Sequence, residues 1–204
     1  MAGLPGAGKS TLIDQRYQPR SRSDVAVLDL DAEMARHPRF NPADPDAIYL
    51  EKGGRAYNWA DRQVEERFQA AIANSSLRRI IVDGTGTNSD RQRRRMQEAR
   101  AAGWFVKVLH VSIPLDTAVR RAAARARPVT ARKVCLYHSK VNDALASTVG
   151  MADEFETFDA PSHDPPHILM REGFVQKSRT IMHELEDRRQ RDLFAQALAT
   201  LGAV

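Results

Sequence analysis

Short apolar runs alternate with amphipathic segments along the chain, and this alternation predicts strands separated by helices. Apolar runs that end in polar residues predict strands at 24–30, 78–84 and 104–113. Helical spacing predicts helices at 9–17, 58–75, 89–103, 115–126 and 129–147, with a short helix and a Pro-rich loop at 31–46. This order of elements predicts an α/β fold in which helices cover both faces of a parallel sheet.

In the last part of the chain, the pattern of apolar residues predicts a late strand at 167–173 and an amphipathic helix at 180–201. The apolar face of that helix comprises Ile181, Leu185, Leu193, Ala197 and Leu201. A length of 204 residues suits one domain with a substantial core. We therefore expect a single domain over 1–204, in which 176–204 forms a C-terminal helical extension.

The chain begins MAGLPGAGKST, which fits the phosphate-binding pattern G-x-x-x-x-G-K-[ST] at Gly3, Gly8, Lys9 and Ser10. Glycines let the backbone close around a phosphate, and the helix that starts near Lys9 directs its N–H groups toward it. The pattern predicts binding of ATP through the loop and of Mg²⁺ through the Ser10 hydroxyl. The predicted nucleotide-binding residues are Gly3, Gly6, Ala7, Gly8, Lys9, Ser10 and Thr11.

A phosphate-binding loop normally follows a buried strand, but only Met1 and Ala2 precede this one. We therefore expect a P-loop NTPase-type sheet in which the strand before the loop is missing. Strands lie about 4.8 Å apart, so the loss of a central strand predicts a gap of roughly 10 Å unless its neighbours close up. Two explanations stay open, a start codon assigned too late on a longer protein and a truncated kinase that binds ATP weakly.

Aspartates follow the second predicted strand, which ends in the letters LDLD. Asp31 is a candidate for the base that accepts the proton of a substrate hydroxyl, since phosphoryl transfer needs an oriented nucleophile. The alternative is that Asp31 is only the N-cap of the following short helix. Asp29 alternates to the other face of the strand and is interpreted as structural.

The third predicted strand ends in IIVDGTGTNSD. Judged from these residues alone, Asp83 is a Walker B carboxylate that reaches Mg²⁺ directly or through water. Thr85, Thr87 and Asn88 offer neutral hydrogen-bonding groups that suit sugar hydroxyls. The alternative is a glycine-rich turn capped by Asp90, and the following helix has Ser89 or Asp90 as its expected N-cap.

Arginines follow the fourth predicted strand, in the segment RARPVT. Arg125 and Arg127 lie where guanidinium groups could clamp a transferring phosphoryl group, which fixed charges do well. The separate run from Arg93 to Arg95 is interpreted as solvated helix surface.

Composition narrows the class of protein. An apolar fraction of 42% with 28% charged residues excludes general disorder, and no apolar run approaches 18 residues. The single Cys135 cannot form an internal disulfide and fits a reducing compartment, so we expect a cytoplasmic protein with no membrane partner. The net charge of +5 suits polyanionic ligands, and aromatic residues at 6% speak against a nucleic-acid channel.

The segments LDLDAEMARHPRF, IIVDGTGTNSD and RARPVT, in this order after GLPGAGKST, resemble the zeta-toxin family of P-loop kinases. The resemblance covers roughly residues 3 to 175. It implies a kinase that uses ATP and Mg²⁺ to phosphorylate UDP-N-acetylglucosamine. It also implies a small helical antitoxin as a candidate partner.

The resemblance also implies a role for each matching residue. Lys9 and Ser10 match the nucleotide and metal residues, and Asp31 matches the catalytic base. Asp83 falls where the family has an acidic residue that contacts the sugar nucleotide, so the resemblance favours acceptor binding over a Walker B role, although a glutamate is expected there. Glu66 matches a second acidic residue that binds the acceptor, and Glu65 is the alternative for this role. Arg125 and Arg127 match the two arginines that bind phosphate.

We therefore expect a small-molecule kinase that phosphorylates a hydroxyl of a UDP-sugar, with Thr85 and Asn88 among the acceptor-binding residues. A P-loop kinase of another hydroxyl acceptor, such as a nucleoside, an antibiotic or a polynucleotide end, is the first alternative. A truncated, inactive remnant is the second, because of the missing strand.

Overall fold

The computed structural model describes residues 1–41, 55–125 and 128–160. In chain order its helices are α1 (Lys9–Tyr17), α2 (Leu30–Ala35), α3 (Arg55–Ile72), α4 (Ser89–Ala101), α5 (Leu115–Ala124) and α6 (Ala131–Thr148). Its strands are β1 (Ala2–Gly3), β2 (Val25–Asp29), β3 (Arg79–Asp83), β4 (Lys107–Ser112) and β5 (Glu154–Asp159). A 3₁₀ turn at Val149–Met151 joins α6 to β5.

All the strand pairs are parallel. β2 pairs with β3 from Val25↔Arg79 to Asp29↔Asp83, and β1, β4 and β5 pair side by side in that order. Parallel pairing requires the crossover helices that the sequence pattern predicts. The predicted α/β fold with a parallel sheet is therefore confirmed.

The segment before the phosphate-binding loop lies between the two sets of strands. On one side β1 pairs with β4, with Ala2 opposite His110. On the other side the Met1 nitrogen donates to the Val82 carbonyl at 2.8 Å, and the Gly3 N–H donates to the Thr85 carbonyl at 3.2 Å. The strand expected to be missing is thus present as β1, a strand of two residues. Its backbone hydrogen bonds bridge the predicted gap.

Both faces of the β2–β3 pair are covered. Ile81 of β3 packs into the main hydrophobic cluster, whereas its neighbours Ile80 and Val82 pack into a second cluster around Val64 and Phe68 of α3. Since successive residues of a strand point to opposite faces, the two clusters lie on opposite sides of the sheet. The prediction of helices on both faces is confirmed by this alternation.

Most predicted elements lie within three residues of their observed bounds. The predicted helix 9–17 coincides with α1, while α3 begins three residues before the predicted start at 58. β5 was not predicted, because its letters EFETFD alternate charged with aromatic residues that stay largely exposed. The strand predicted at 167–173, the helix at 180–201 and the extension 176–204 lie outside the described residues.

Cys135 is 1% exposed inside helix α6, and burial raises the pKa of its thiol to about 11. It therefore acts as a small apolar core residue, as expected. None of the helices in the described ranges is long and apolar enough to cross a membrane. The cytoplasmic location stays a prediction.

Candidate functional site

The phosphate-binding loop joins β1 to α1 and takes its shape from two glycines. Gly6 and Gly8 both have φ of +85°, a conformation that favours glycine. A Cβ on Gly6 would lie 2.7 Å from the Ala118 carbonyl of α5, whereas a Cβ on Gly8 would meet no atom within 4 Å. Gly6 thus packs the loop on α5, and Gly8 borders open space.

The first turn of α1 begins at this open space. Gly8 is the N-cap of the helix and has no side chain that could bond the free N–H groups of Lys9, Ser10 and Thr11. Ala7 is buried beneath them, and its N–H donates to the Leu4 carbonyl at 3.1 Å within the loop. Free N–H groups at the positive end of a helix dipole form a site for an anion such as phosphate.

Lys9 folds back over the loop. Its Nζ donates to the carbonyls of Gly3 and Leu4, each at 3.0 Å. Burial lowers the pKa of Lys9, and the negative charge of Asp83 opposes this shift. The ammonium group is therefore held against the backbone of the loop.

Four charged side chains that are distant in sequence act on Lys9. In order of effect on its pKa, Asp83 raises it, Arg125 lowers it, and Asp31 and Asp29 raise it. The predicted nucleotide residue thus lies within electrostatic reach of the predicted catalytic base, the acidic residue and the phosphate-binding arginine. Arg127 lies outside the described residues, and its role stays a prediction.

Ser10 and Asp83 form a second contact at the loop. The Ser10 hydroxyl donates to Asp83 Oδ2 at 3.2 Å, although 73 residues separate them. Asp83 Oδ1 is buried and has no hydrogen-bond partner among the described residues. A hydroxyl beside a carboxylate with a spare buried oxygen fits Mg²⁺, which takes oxygen ligands and usually one or two carboxylates together with phosphate oxygens.

The described residues contain no group of three or more His, Cys, Asp or Glu side chains that could hold a metal ion by themselves. A metal at Ser10 and Asp83 would therefore depend on oxygen atoms from a nucleotide. This dependence is usual for Mg²⁺ in kinase and ATPase sites.

Asp29 and Asp31 have different roles at the start of α2. Asp29 Oδ1 accepts a hydrogen bond from the Asp31 N–H at 2.9 Å, so Asp29 is the N-cap of the helix. The alternative that Asp31 is the cap is therefore wrong, and the structural role predicted for Asp29 is confirmed. Burial and the neighbouring charge of Asp83 raise the pKa of Asp29. Asp31 is the second residue of α2 and is exposed, and its charge raises the pKa of Lys9.

A polar groove of about 550 Å³ lies between α3 and the start of α4. Its lining residues are Asn58, Asp61, Arg62, Glu65, Asn88, Asp90, Arg91 and Arg94. Arg91 crosses it, with hydrogen-bond and ion-pair distances to Asp61 of 2.8 and 2.6 Å. All of these side chains are charged or carry an amide, so the groove suits a polar ligand.

Glu65, not Glu66, lies in this groove. Glu65 Oε2 pairs with Arg94 at 2.7 Å and with Arg95 at 3.0 Å. Glu66 is exposed and accepts a hydrogen bond from Gln63 at 3.1 Å. Of the two acids that the resemblance leaves open for acceptor binding, the geometry favours Glu65.

Thr85 and Asn88 follow β3 as predicted. The Thr85 and Thr87 hydroxyls are 3.2 Å apart. Asn88 lines the groove and is also the N-cap of α4, because its Oδ1 accepts from the Arg91 N–H at 3.0 Å. The expected caps Ser89 and Asp90 are therefore wrong by one or two positions. Sequence reasoning also missed Asp61 and Arg91, whose pairing depends on the packing of two helices.

The comparisons with known proteins agree with this fold. The family described as AAA domain matches residues 1–146, which is most of the chain. The chain belongs to the AAA domain family. The match contains the phosphate-binding loop, Asp31, Asp83 and Arg125, so the charged cluster around Lys9 lies inside the AAA domain.

Among solved structures, one from the PezAT chromosomal toxin–antitoxin system of Streptococcus pneumoniae is similar to this AAA domain protein. The two are 12% identical with a TM-score of 0.55, and the match covers 98% of this chain and 84% of that one. At this identity the likeness shows the fold alone. Shikimate kinase from Bacteroides thetaiotaomicron is 18% identical with a TM-score of 0.43, over 100% and 96% of the two chains. No curated protein matches the chain.

Proposed function

We propose that this protein is an ATP-dependent kinase that transfers the γ-phosphate to a hydroxyl of a UDP-sugar such as UDP-N-acetylglucosamine. The observation that carries the proposal is the hydrogen bond of 3.2 Å from the Ser10 hydroxyl to Asp83, at the open first turn of α1. The charges of Asp83, Arg125 and Asp31 also act on Lys9 of the same turn. A candidate base, an acid that can hold a metal ion and two cations are the parts that phosphoryl transfer requires. The PezAT likeness and the resemblance to zeta toxins agree with it.

The loop residues bind and orient the nucleotide in this proposal. The free N–H groups of the first turn of α1 hold phosphate oxygens, and Lys9 exchanges its two carbonyl partners for the γ-phosphate. Arg125 adds positive charge on the transferring group. Ser10 and Asp83 would hold Mg²⁺, which when bound neutralises charge on the phosphate oxygens.

Asp31 is the proposed base. Its carboxylate is exposed at the start of α2 and close enough to Lys9 to raise the pKa of that amine. In this position it orients an acceptor hydroxyl toward the γ-phosphate and takes its proton as the oxygen–phosphorus bond forms and the bond from phosphorus to ADP breaks.

The groove between α3 and α4 is the proposed acceptor site. Asn88 lies both in the groove and at the carboxyl end of β3, where ligands of parallel sheets bind. Carboxylate and amide groups bind sugar hydroxyls, while Arg62 of the groove offers positive charge to a diphosphate. Thr85, on the loop that follows β3, offers a hydroxyl to the acceptor.

In this proposal Asp83 holds the metal ion, whereas the resemblance implies that it binds the acceptor. Its hydrogen bond comes from Ser10 and its charge acts on Lys9, so its contacts are with the nucleotide residues. The paired arginines of α4 also argue for a small-molecule acceptor over nucleic acid. Arg93 pairs with Asp90 at 2.5 Å, and Arg94 and Arg95 pair with Glu65, so much of this positive charge is neutralised.

The test is to incubate the protein with ATP, Mg²⁺ and UDP-N-acetylglucosamine and to identify the product by mass spectrometry. We expect a singly phosphorylated UDP-sugar, and the Asp31→Asn variant should lower kcat by about 10²- to 10⁴-fold while ATP binding survives. Transfer to a nucleoside or an antibiotic but not to the UDP-sugar would favour the alternative acceptor class. Unchanged turnover of Asp31→Asn would exclude Asp31 as the base.

A further inference from the structure

Helix α2 carries Asp31 and is only six residues long. Isolated helices shorter than about 12 residues are marginal in water, so contacts with the rest of the protein must hold this one in place. The direction of the Asp31 carboxylate is set by those contacts, because side chains on a helix move with its axis.

Glu33 is the buried charged residue of α2, with 3% exposure. Its Oε1 accepts hydrogen bonds from Arg36 Nη1 at 2.7 Å and from the Arg67 guanidinium of α3. Arg67 Nη2 also reaches the Val27 carbonyl of β2 at 3.5 Å. One carboxylate and one guanidinium thus connect α2, α3 and β2.

The two helices also share apolar contacts, because Leu30 of α2 packs against the cluster that holds Val64 and Phe68 of α3. Met34, Ala56 and Ala60 form a separate buried cluster, with Leu30, Phe40 and Trp59 packed against it. The hydrophobic effect has no preferred direction, whereas a buried carboxylate keeps its stability only when its partner stays in place. The ion pair therefore sets the position of α2 on α3 more sharply than the apolar cluster does.

We propose that the ion pair between Glu33 and Arg67 positions Asp31 beside the phosphate-binding loop by holding helix α2 on α3. As far as it concerns phosphoryl transfer, this rests on the proposed function. Glu33 and Arg67 are positioning residues in this arrangement, because each acts through the helix that carries the base.

The chain offers a matched pair of variants. Arg67→Met removes the partner that lies on α3. Arg36→Met removes the other partner of the same carboxylate, but Arg36 lies on α2 itself and its side chain is 61% exposed. Both variants delete one arginine bonded to Glu33, and only the first removes the ion pair that joins the two helices.

We expect Arg67→Met to speed amide hydrogen exchange in residues 30–35 by roughly 10-fold in the protein without ligands. It should lower kcat by roughly 10- to 100-fold through misplacement of the base, with an unchanged KM for ATP. Arg36→Met should leave the exchange rate and kcat near those of the unmodified protein. A purely structural role would lower the melting temperature without this separation of kcat from KM.

Glu33→Gln is the second variant, used with the same measurements if Arg67→Met does not fold. It keeps the side-chain shape and leaves no buried charge, because Arg67 is 40% exposed. Unchanged exchange at 30–35, unchanged kcat, or equal effects in Arg36→Met would each overturn the proposal. If the unmodified protein phosphorylates no UDP-sugar, the proposed function fails, and the exchange comparison still decides whether Arg67 holds α2.

Discussion

Lys9 binds backbone carbonyls in this structure and lies beside carboxylates that favour its charged form. The two carbonyl partners, on Gly3 and Leu4, belong to the loop itself. Burial lowers the pKa of the amine, while Asp83 acts in the opposite direction. An entering phosphate would offer Lys9 a full negative charge in place of two carbonyl dipoles, and this exchange favours binding.

At the scale of single residues, the role of Asp83 can be tested by charge removal. Asp83→Asn keeps the size of the side chain and an oxygen for the Ser10 hydroxyl but removes the charge beside the proposed metal. We expect Mg²⁺-dependent ATP binding to weaken by roughly 10- to 100-fold, as metal-site substitutions commonly do. Calorimetric titration with ATP, with and without Mg²⁺, measures this change.

The matched control is Asp24→Asn, because Asp24 precedes β2 at the opposite end of the strands and pairs with Arg22 at 2.7 Å. The affinity of the Asp24→Asn variant for ATP should stay unchanged. UDP-N-acetylglucosamine is titrated against Asp83→Asn as well. Lost acceptor binding with intact ATP binding would return Asp83 to the acceptor role that the resemblance implies.

At the scale of secondary structure, α2 depends on the cap that Asp29 supplies. Asp29→Ala removes the acceptor of the Asp31 N–H and should lower the free energy of unfolding by about 1 kcal/mol. Asp29→Asn keeps a good cap and also removes repulsion from Asp83, so its stability should be close to that of the unmodified protein. Urea denaturation of the three proteins measures the difference.

If Asp29→Asn were as unstable as Asp29→Ala, the negative charge would matter more than the hydrogen bond to the helix end. Helix α4 provides an internal comparison, because Asn88 caps it by the same bond to a backbone N–H. Asn88→Ala should therefore cost a similar amount at neutral pH, where Asn88 carries no charge.

At the scale of the whole molecule, ion pairs tie α1 to the β4–β5 pair. Glu156 of β5 pairs with Arg16 of α1 and with Lys107 of β4, each at 2.5 Å. The hydrogen bond from Arg16, followed by that from Lys107, lowers the pKa of Glu156 from its usual 4.5 to about 2.

This pKa shift predicts a pH dependence of stability. Because the folded protein holds the carboxylate charged more strongly than the unfolded chain does, Glu156 stabilises the fold above pH 4.5. That contribution disappears as the pH falls from 4.5 to about 2. We expect Glu156→Gln to melt below the unmodified protein at pH 6, and the difference to shrink steadily over this range.

Thermal melting of both proteins between pH 2 and pH 7 tests this prediction. Glu154→Gln is the control, since Glu154 pairs only with Lys107 among the described residues and leaves the Arg16 contact intact. A gap in melting temperature that is the same at every pH would show that Glu156 contributes by packing and not by charge.

Local patterns in the sequence determined the phosphate-binding loop, the bounds of α1 and the parallel α/β order. These features depend on residues that are close in the chain, such as the glycines of the loop and the helical spacing that follows it. The glycine conformations agree with the motif, since Gly6 and Gly8 both have positive φ.

The tertiary structure alone decided which distant side chains meet. Ser10 contacts Asp83 because β1 and β3 are neighbours, and Glu65 faces the groove because of the rotation of α3 against α4. The packing of the whole core sets the order of the strands and the rotation of each helix. A prediction for α3 that is off by one residue therefore names Glu66 in place of Glu65. The sequence therefore determined the chemistry of the site, and long-range packing decided the partners of each group.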